Sequence, residues 1–147
     1  MKIDDNYFKP ALSMDVKRIQ RKRTKGWKMP ENTVYVGRPT LWGNPFGYEW
    51  SRLNGGWLLN LLDVTAFTRS IWAPHAATLY KTKQEAQAAA VDCYKQYIAG
   101  DRGVSHSYYA LIWMQNIEHE LRGKNLACWC ADGEPCHADV LLEIANK

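Results

Sequence analysis

Three thiols and an imidazole fall within ten positions near the C-terminus, in Cys128-Trp129-Cys130 and Cys136-His137. On an extended strand Cys128 and Cys130 point to the same face. Pro135-Cys136-His137 stands where a helix opens, and the helix dipole there lowers thiol pKa and attracts anions. Three kinds of chemistry suit these residues. Cys128, Cys130, Cys136 and His137 carry the ligand types of a Cys3His zinc site, although C-x-C and C-x5-C-H are not the usual C-x2-C knuckle. The same segment can instead serve an anion or a substrate, with first-turn amides and His137 binding a phosphate or acting on a sugar. The third reading is a set of buried, inert thiols. Asp139, two residues beyond His137, can border the same mouth, so Cys130, His137 and Asp139 are the catalytic candidates; as a first-turn acid Asp139 also suits simple helix stability.

A second constellation is Gly37-Arg38-Pro39-Thr40-Leu41-Trp42-Gly43-Asn44-Pro45-Phe46. Gly37 and Gly43 let backbone approach a ligand, Arg38 can grip a phosphate or carboxylate with two prongs, and Trp42 or Phe46 offers a face to a base. Asn44 belongs to the same candidate binding set. The loop is neither a Walker loop, since no Gly-Lys-Ser/Thr follows, nor a dinucleotide fingerprint, since GxGxxG is absent. Its bland alternative is a turn-rich connection closed by Asn44-Pro45 and capped by Trp42. A third feature is charge: seven of the 19 basic residues lie between Lys17 and Lys28 with no acid among them, and the rest of the chain is net acidic, 12 against 15. Arg21 and Arg23 in this segment can add charge at the rim of a site. With Trp27 beside it, the segment also suits a nucleic-acid backbone and a stacked base, or else a solvated strand edge.

The elements that must position these residues can be read in outline. Val16 to Arg23 suits a short edge strand whose charges blunt sheet extension. Thr33-Val34-Tyr35-Val36 is β-branched and aromatic, follows a turn signal and ends at Gly37, which predicts a buried strand. Residues 38 to 57 hold Pro39, Gly43, Pro45, Gly47, Gly55 and Gly56 and predict a long irregular loop. Trp57 to Trp72 is apolar at mixed spacing and reads as a helix weakened by Val64, Thr65 and Thr68. Thr82-Lys83-Gln84-Glu85 has capping-box spacing before an alanine-rich run stopped at Gly100, so a helix spans about 83–99 with Cys93 as a core residue. Ser107 to Leu121 is helical by its 3 and 4 spacings of Tyr109, Ile112, Trp113, Ile117 and Leu121. Asn125 to Cys130 predicts a second buried strand, and Val140, Leu141 and Ile144 face the last helix inward. His75, His106 and His119 stand isolated and read as surface or packing residues.

Strand, helices, strand and helix in that order imply a parallel crossover. The expected fold is therefore α/β: a small Rossmann-like open sheet, mostly parallel, with helices on both faces and a long loop after the second strand. In such sheets ligands collect at the carboxyl ends of the strands. If the strands ending at Val36 and Trp129 are neighbours, Arg38 and His137 share one edge. A chain of 147 residues suits one domain, expected over 17–147 behind a polar arm over 1–16. Composition is globular, with 46% apolar and 23% charged residues, and seven Trp and eight Tyr exceed ordinary usage. There is no apolar run of the roughly 20 residues a membrane span needs and no signal-peptide pattern, so a cytoplasmic protein without membrane contact is expected. Four cysteines are then free thiols or metal ligands rather than disulfides.

The end blocks "RIQRKRTKGWKMPENTVYVGRPTLWGNPF" and "LRGKNLACWCADGEPCHADVLLEIAN" resemble a family catalogued as domain of unknown function 4326, found in bacteria and their phages. The resemblance runs from about Lys17 onward, with no matching motif from about Gly47 to Ser105, and it brings no reaction with it. The terminal pattern is also similar to domain of unknown function 488, where Cys-His-Arg opens the helix; here Ala138 follows His137, so that Arg is not provided.

These observations favour a small nucleotide- or nucleoside-handling enzyme of a phage or bacterial accessory system, a hydrolase or glycosyl transferase working on N-glycosidic or phosphoryl-sugar bonds. Arg38 with amides near Gly37 and Gly43 would hold the anion, Trp42 or Phe46 the base, and His137 or Asp139 would act on the sugar. On that reading His137→Ala removes activity and leaves the fold intact. The rivals are a non-enzymatic nucleic-acid-binding module using Lys17 to Lys28 and a zinc-stabilised interaction domain.

Overall fold

The computed structural model describes residues 15–61, 78–99 and 115–147. The described strands and helices, in chain order, are β1 (Arg18–Gln20), β2 (Thr33–Tyr35), β3 (Phe46–Ser51), β4 (Gly56–Leu61), β5 (Leu79–Tyr80), α1 (Lys83–Ala99), β6 (Asn125–Cys128) and α2 (His137–Ala145), with a further helical stretch over 115–121. The domain is mixed α/β.

The expected single, mostly parallel sheet is corrected to two three-stranded sheets. One has the order β1-β6-β2 and is parallel throughout; the other has the order β3-β4-β5 and is antiparallel. In the parallel sheet β6 is central, with Ile19 and Tyr35 both opposite Ala127, and Leu126 and Ala127 are fully buried. A strand flanked on both sides has all its backbone groups paired, which suits the apolar Leu-Ala-Cys run. The edge strand expected over Val16 to Arg23 forms as the shorter β1, Arg18–Gln20, at one edge of this sheet. The cleft edge expected from the sequence also forms, since β2 and β6 run side by side in the same direction and end together.

The antiparallel sheet overturns two expectations. Residues 46–51 and 56–61 are not loop and helix but the arms of a hairpin, registered from Phe46 opposite Leu61 to Ser51 opposite Gly56. Phe46, Tyr48 and Trp50 alternate with Gly47 and Glu49, and this period of two is the strand signal that the glycines obscured. Gly55, at φ 65°, supplies the left-handed residue that the turn demands. Trp50 and Trp57 pair across the ladder with ring centroids 5.8 Å apart, edge to face. The remainder of the expected helix, residues 62–72, lies outside the described residues, as do the arm over 1–14, His75, His106 and the first part of the 107–121 helix.

Helix α1 begins as its capping box dictates. Thr82 Oγ1 accepts from the Glu85 amide at 3.1 Å, and the Glu85 carboxylate accepts from the Lys81 and Thr82 amides. The helix packs against the β3–β4 hairpin on one side and α2 on the other, while α2 also covers β6 and β1. Val36, Leu59, Cys93, Tyr94, Ile98, Ile117, Leu121, Leu126 and Leu141 form one core between these layers. Ile117 and Leu121, four residues apart, are both fully buried, as the helical spacing predicted.

Candidate functional site: a cleft between Arg38 and a thiol cluster

Where β2 and β6 end, the chain opens a cleft of about 400 Å³. Its walls come from the β2–β3 loop (Gly37, Arg38, Asn44), the hairpin (Phe46, Tyr48), the first turns of α1 (Lys83, Gln87) and the segment from Cys128 to His137. Arg38 and His137, 99 positions apart in sequence, thus border one cavity.

The loop is held in place by its own polar groups. Asn44 Oδ1 accepts from the Phe46 amide at 2.9 Å, and Asn44 Nδ2 donates to the Ala90 carbonyl of α1 at 3.2 Å. Tyr94 donates its hydroxyl proton to the Trp42 carbonyl at 2.7 Å, a second tie from loop to helix. Two of the expected binding residues play structural parts. Trp42 is only 5% exposed, belongs to the core and does not line the cleft, so it presents no face to a base. Gly43 also stands off the cleft wall; a Cβ there would meet Arg38 Cγ at 2.8 Å. Gly37 is needed for a similar reason, because a Cβ at that position would fall on the phenol of Tyr35.

His137 is 6% exposed, and its Nε2 lies 2.7 Å from the Val36 carbonyl oxygen. A carbonyl only accepts, so Nε2 carries the proton, and in the neutral ring Nδ1 is then an acceptor, 3.9 Å from Cys136 Sγ. The Tyr94 ring stands edge to face against the imidazole with centroids 5.3 Å apart. This histidine therefore ties the start of α2 to the end of β2. Asp139 faces away: its carboxylate pairs with Arg18 at 2.9 Å and does not line the cleft. Arg18 also donates to the carbonyls of Glu134 at 2.8 Å and Ala131 at 3.0 Å, so one guanidinium anchors the loop between β6 and α2.

The thiol cluster forms the cleft's chemically distinct wall. The sulfurs of Cys128, Cys130 and Cys136 all lie within 4.8 Å of one another and could hold a metal ion, and Cys128 and Cys130 are 3.8 Å apart. Of the four ligands expected from sequence these three form the group, and His137 Nδ1 stands beside it, 3.9 Å from Cys136 Sγ. Cys136 occupies the N-cap position of α2 but makes no side-chain cap bond, which leaves its sulfur to the cluster. Hydrogen bonds from Cys130 and Cys136 hold the Cys128 thiol well below its usual range against the opposing effect of burial. The same bonds, now made as donors to Cys128, push Cys130 up to about 11 and Cys136 higher still. Cys93, buried in α1, stays in the core as expected.

Several wall residues escaped the sequence reading. Tyr48 sits among Cys130, Glu134, Arg38 and Cys136; burial, then Cys130 and Glu134, raise its pKa over the lowering effect of Arg38. Glu134 is the carboxylate in the cleft, accepting at Oε2 from the Ala131 amide and Gln87, both at 3.3 Å. Trp129 is 41% exposed between Cys128 and Cys130, just past the end of β6. Arg21 stacks over Tyr35 at 4.4 Å and Trp129 at 4.7 Å, and Arg23 over Trp129 at 4.9 Å. Three of the seven clustered cations, Arg18, Arg21 and Arg23, are therefore engaged within the domain. The only available signal for Tyr48 was its alternation with Phe46 and Trp50; Glu134 carried none.

Among the described residues no helix is long and apolar enough to cross a membrane. No curated protein and no solved structure matches the chain. Residues 19–147 match the domain of unknown function DUF4326, and the chain belongs to that family.

Proposed function

We propose that the cleft binds a nucleotide or nucleoside-like small molecule and acts on its N-glycosidic or phosphoryl-sugar bond. The observation that carries this reading is the convergence of Arg38 and Lys83 with the rings of Tyr35, Tyr48 and Trp129 around one cavity. Cations suit the anionic part and flat rings suit a base. The geometry changes the residue assignments. Tyr48 replaces Trp42 as the stacking face, since Arg21 stands over Tyr35 and Arg21 and Arg23 over Trp129, and Phe46, only 3% exposed, offers little more than an edge. Acid-base work passes from His137 and Asp139 to Glu134, the carboxylate that borders the cavity. A thermal-shift panel of nucleosides and their mono-, di- and triphosphates tests the reading. A ligand at 100 times its Kd stabilises by about 2.7 kcal/mol, which for a domain of this size raises Tm by about 5–10 °C. Arg38→Ala should weaken that ligand by about 10–100-fold, and Glu134→Gln should retain binding while losing turnover. A panel with no shift counts against the reading as a whole.

A second reading, a zinc-stabilised domain, draws on a separate observation. With Zn–S bonds of about 2.3 Å, sulfurs at two corners of a tetrahedron lie about 3.8 Å apart, which matches the Cys128–Cys130 separation. Stoichiometric zinc in untagged protein, and loss of stability on chelation, would support it. The nucleic-acid module is weaker on these grounds, because Arg18 and Arg21 have internal partners.

A further inference from the structure

We propose that His137 Nδ1 closes a four-coordinate metal site with the sulfurs of Cys128, Cys130 and Cys136, a fully ligated knot that frames the cleft and leaves its chemistry to side chains. The inference rests on the zinc reading above and deepens it by naming the fourth ligand and the metal's part. The tautomer of His137 carries the argument. Its Nε2 holds a proton against the Val36 carbonyl at 2.7 Å, so the Nδ1 lone pair faces Cys136 Sγ, 3.9 Å away. With Zn–N bonds of about 2.0–2.1 Å and Zn–S bonds of about 2.3 Å, a nitrogen and a sulfur on neighbouring corners of a tetrahedron lie about 3.6 Å apart. Binding a metal therefore asks for only a small movement of the ring. The imidazole also interacts with the Cys128 thiol. A metal-bound histidine almost always gives its other ring N–H to a carbonyl or carboxylate, which fixes both tautomer and ring plane. Here Val36 is that partner.

The four ligands come from consecutive elements. Cys128 ends β6, Cys130 lies in the loop beyond it, Cys136 is the N-cap of α2 with no side-chain cap bond, and His137 opens that helix. One ion on these groups ties β6, the loop and α2 together. Through the Val36 carbonyl it also ties in the end of β2, where the loop that carries Arg38 begins. Four protein ligands are the arrangement of structural zinc, with no coordination position left for a substrate. An anion in the cleft therefore falls to Arg38 and Lys83, and proton transfer to Glu134, all of which line the same cavity.

Cadmium NMR on the full chain tests this, with a spin-active cadmium isotope and nitrogen-labelled histidine. Metal-free protein should bind one equivalent of cadmium. One histidine should then show a direct cadmium–nitrogen coupling at Nδ1, with its proton on Nε2. The coupling should persist in a His75→Ala/His106→Ala/His119→Ala variant, which leaves His137 as the sole histidine of the chain. Excess imidazole should leave the cadmium resonance where it is, because a filled site has no position to offer. Four results each overturn the closed site and leave the zinc reading standing. They are one equivalent of cadmium without histidine coupling, coupling at Nε2, coupling lost in a triple variant that still binds one equivalent, and a resonance that moves with imidazole. Absence of stoichiometric binding of either zinc or cadmium removes both.

Discussion

His137→Ala should destabilise the fold rather than simply silence a site. The imidazole is 6% exposed and donates from Nε2 to the carbonyl of Val36, itself fully buried. Truncation leaves that carbonyl without this donor in a dry environment, at a cost of about 1–3 kcal/mol. The edge-to-face contact with Tyr94 at 5.3 Å goes as well, adding about 0.5–1.5 kcal/mol. Together these give about 2–4 kcal/mol out of the 5–15 typical of a domain, or a fall in Tm of about 5–15 °C. Isosteres separate this tie from general packing. Gln places its amide nitrogen near the Nε2 position and should recover about 1–2 kcal/mol, whereas the shorter Asn reaches only to Nδ1 and should behave like Ala. Urea denaturation of the four proteins, with chelator and again with one equivalent of zinc, gives the ranking. If the Ala variant unfolds within about 0.5 kcal/mol of the parent, or if Asn outperforms Gln, the hydrogen bond to Val36 does not join β2 to α2 as argued.

Arg18→Met should cost about 1.5–3 kcal/mol, because its guanidinium is 10% exposed and serves two carbonyls as well as Asp139. Asp139→Asn, at a carboxylate 56% exposed, should cost under about 1 kcal/mol and leave any turnover unchanged; urea midpoints and a matched activity assay check both. Tyr94→Phe removes the hydroxyl bond to the Trp42 carbonyl and should cost about 1–2 kcal/mol at neutral pH. Burial raises the Tyr94 pKa well above its ordinary 10, so the unfolded chain releases this proton first as pH climbs. Stability is therefore full below pH 10 and declines above it, and the Phe variant should show a shallower alkaline decline in chemical denaturation. Neutralising Lys22, Lys25 and Lys28 should leave nucleotide affinity unchanged by calorimetry; a loss would instead favour the nucleic-acid reading, whose binding must also fall steeply with salt.

Elements set by local chemistry were legible in the sequence. The Thr82 to Glu85 spacing placed the start of α1 because a capping box is satisfied entirely within four residues. Leu126-Ala127-Cys128 reads as a strand because a central parallel ladder buries both faces, and Thr33-Val34-Tyr35 because β-branched and aromatic residues suit the half-buried edge beside it. The hairpin did not read so. Gly56-Trp57-Leu58-Leu59-Asn60-Leu61 has no internal preference strong enough to exclude a helix, and it is a strand because Phe46–Ser51 pairs with it. That partner was hidden among glycines and prolines which, taken singly, argue for loop. Strand preference of this kind belongs to the pair rather than to the segment.

The same distinction governs the cleft. Arg38 and the thiol-imidazole segment meet because each directly follows a strand and the two strands are parallel neighbours, a consequence of topology that sequence order made available. Orientation is another matter. Trp42 and Trp129 are both tryptophans beside chemically suggestive residues, yet Trp42 is drawn inward where Tyr94 binds its carbonyl, and Trp129 stays at the surface under Arg21 and Arg23. Asp139 is turned away by an arginine 121 positions earlier, and Glu134 enters the cavity on a loop that the same arginine anchors. One residue, Arg18, thus decides which of two nearby carboxylates the cleft contains. It was read from sequence as part of a charged edge, because a charge run shows its sign and not its partners.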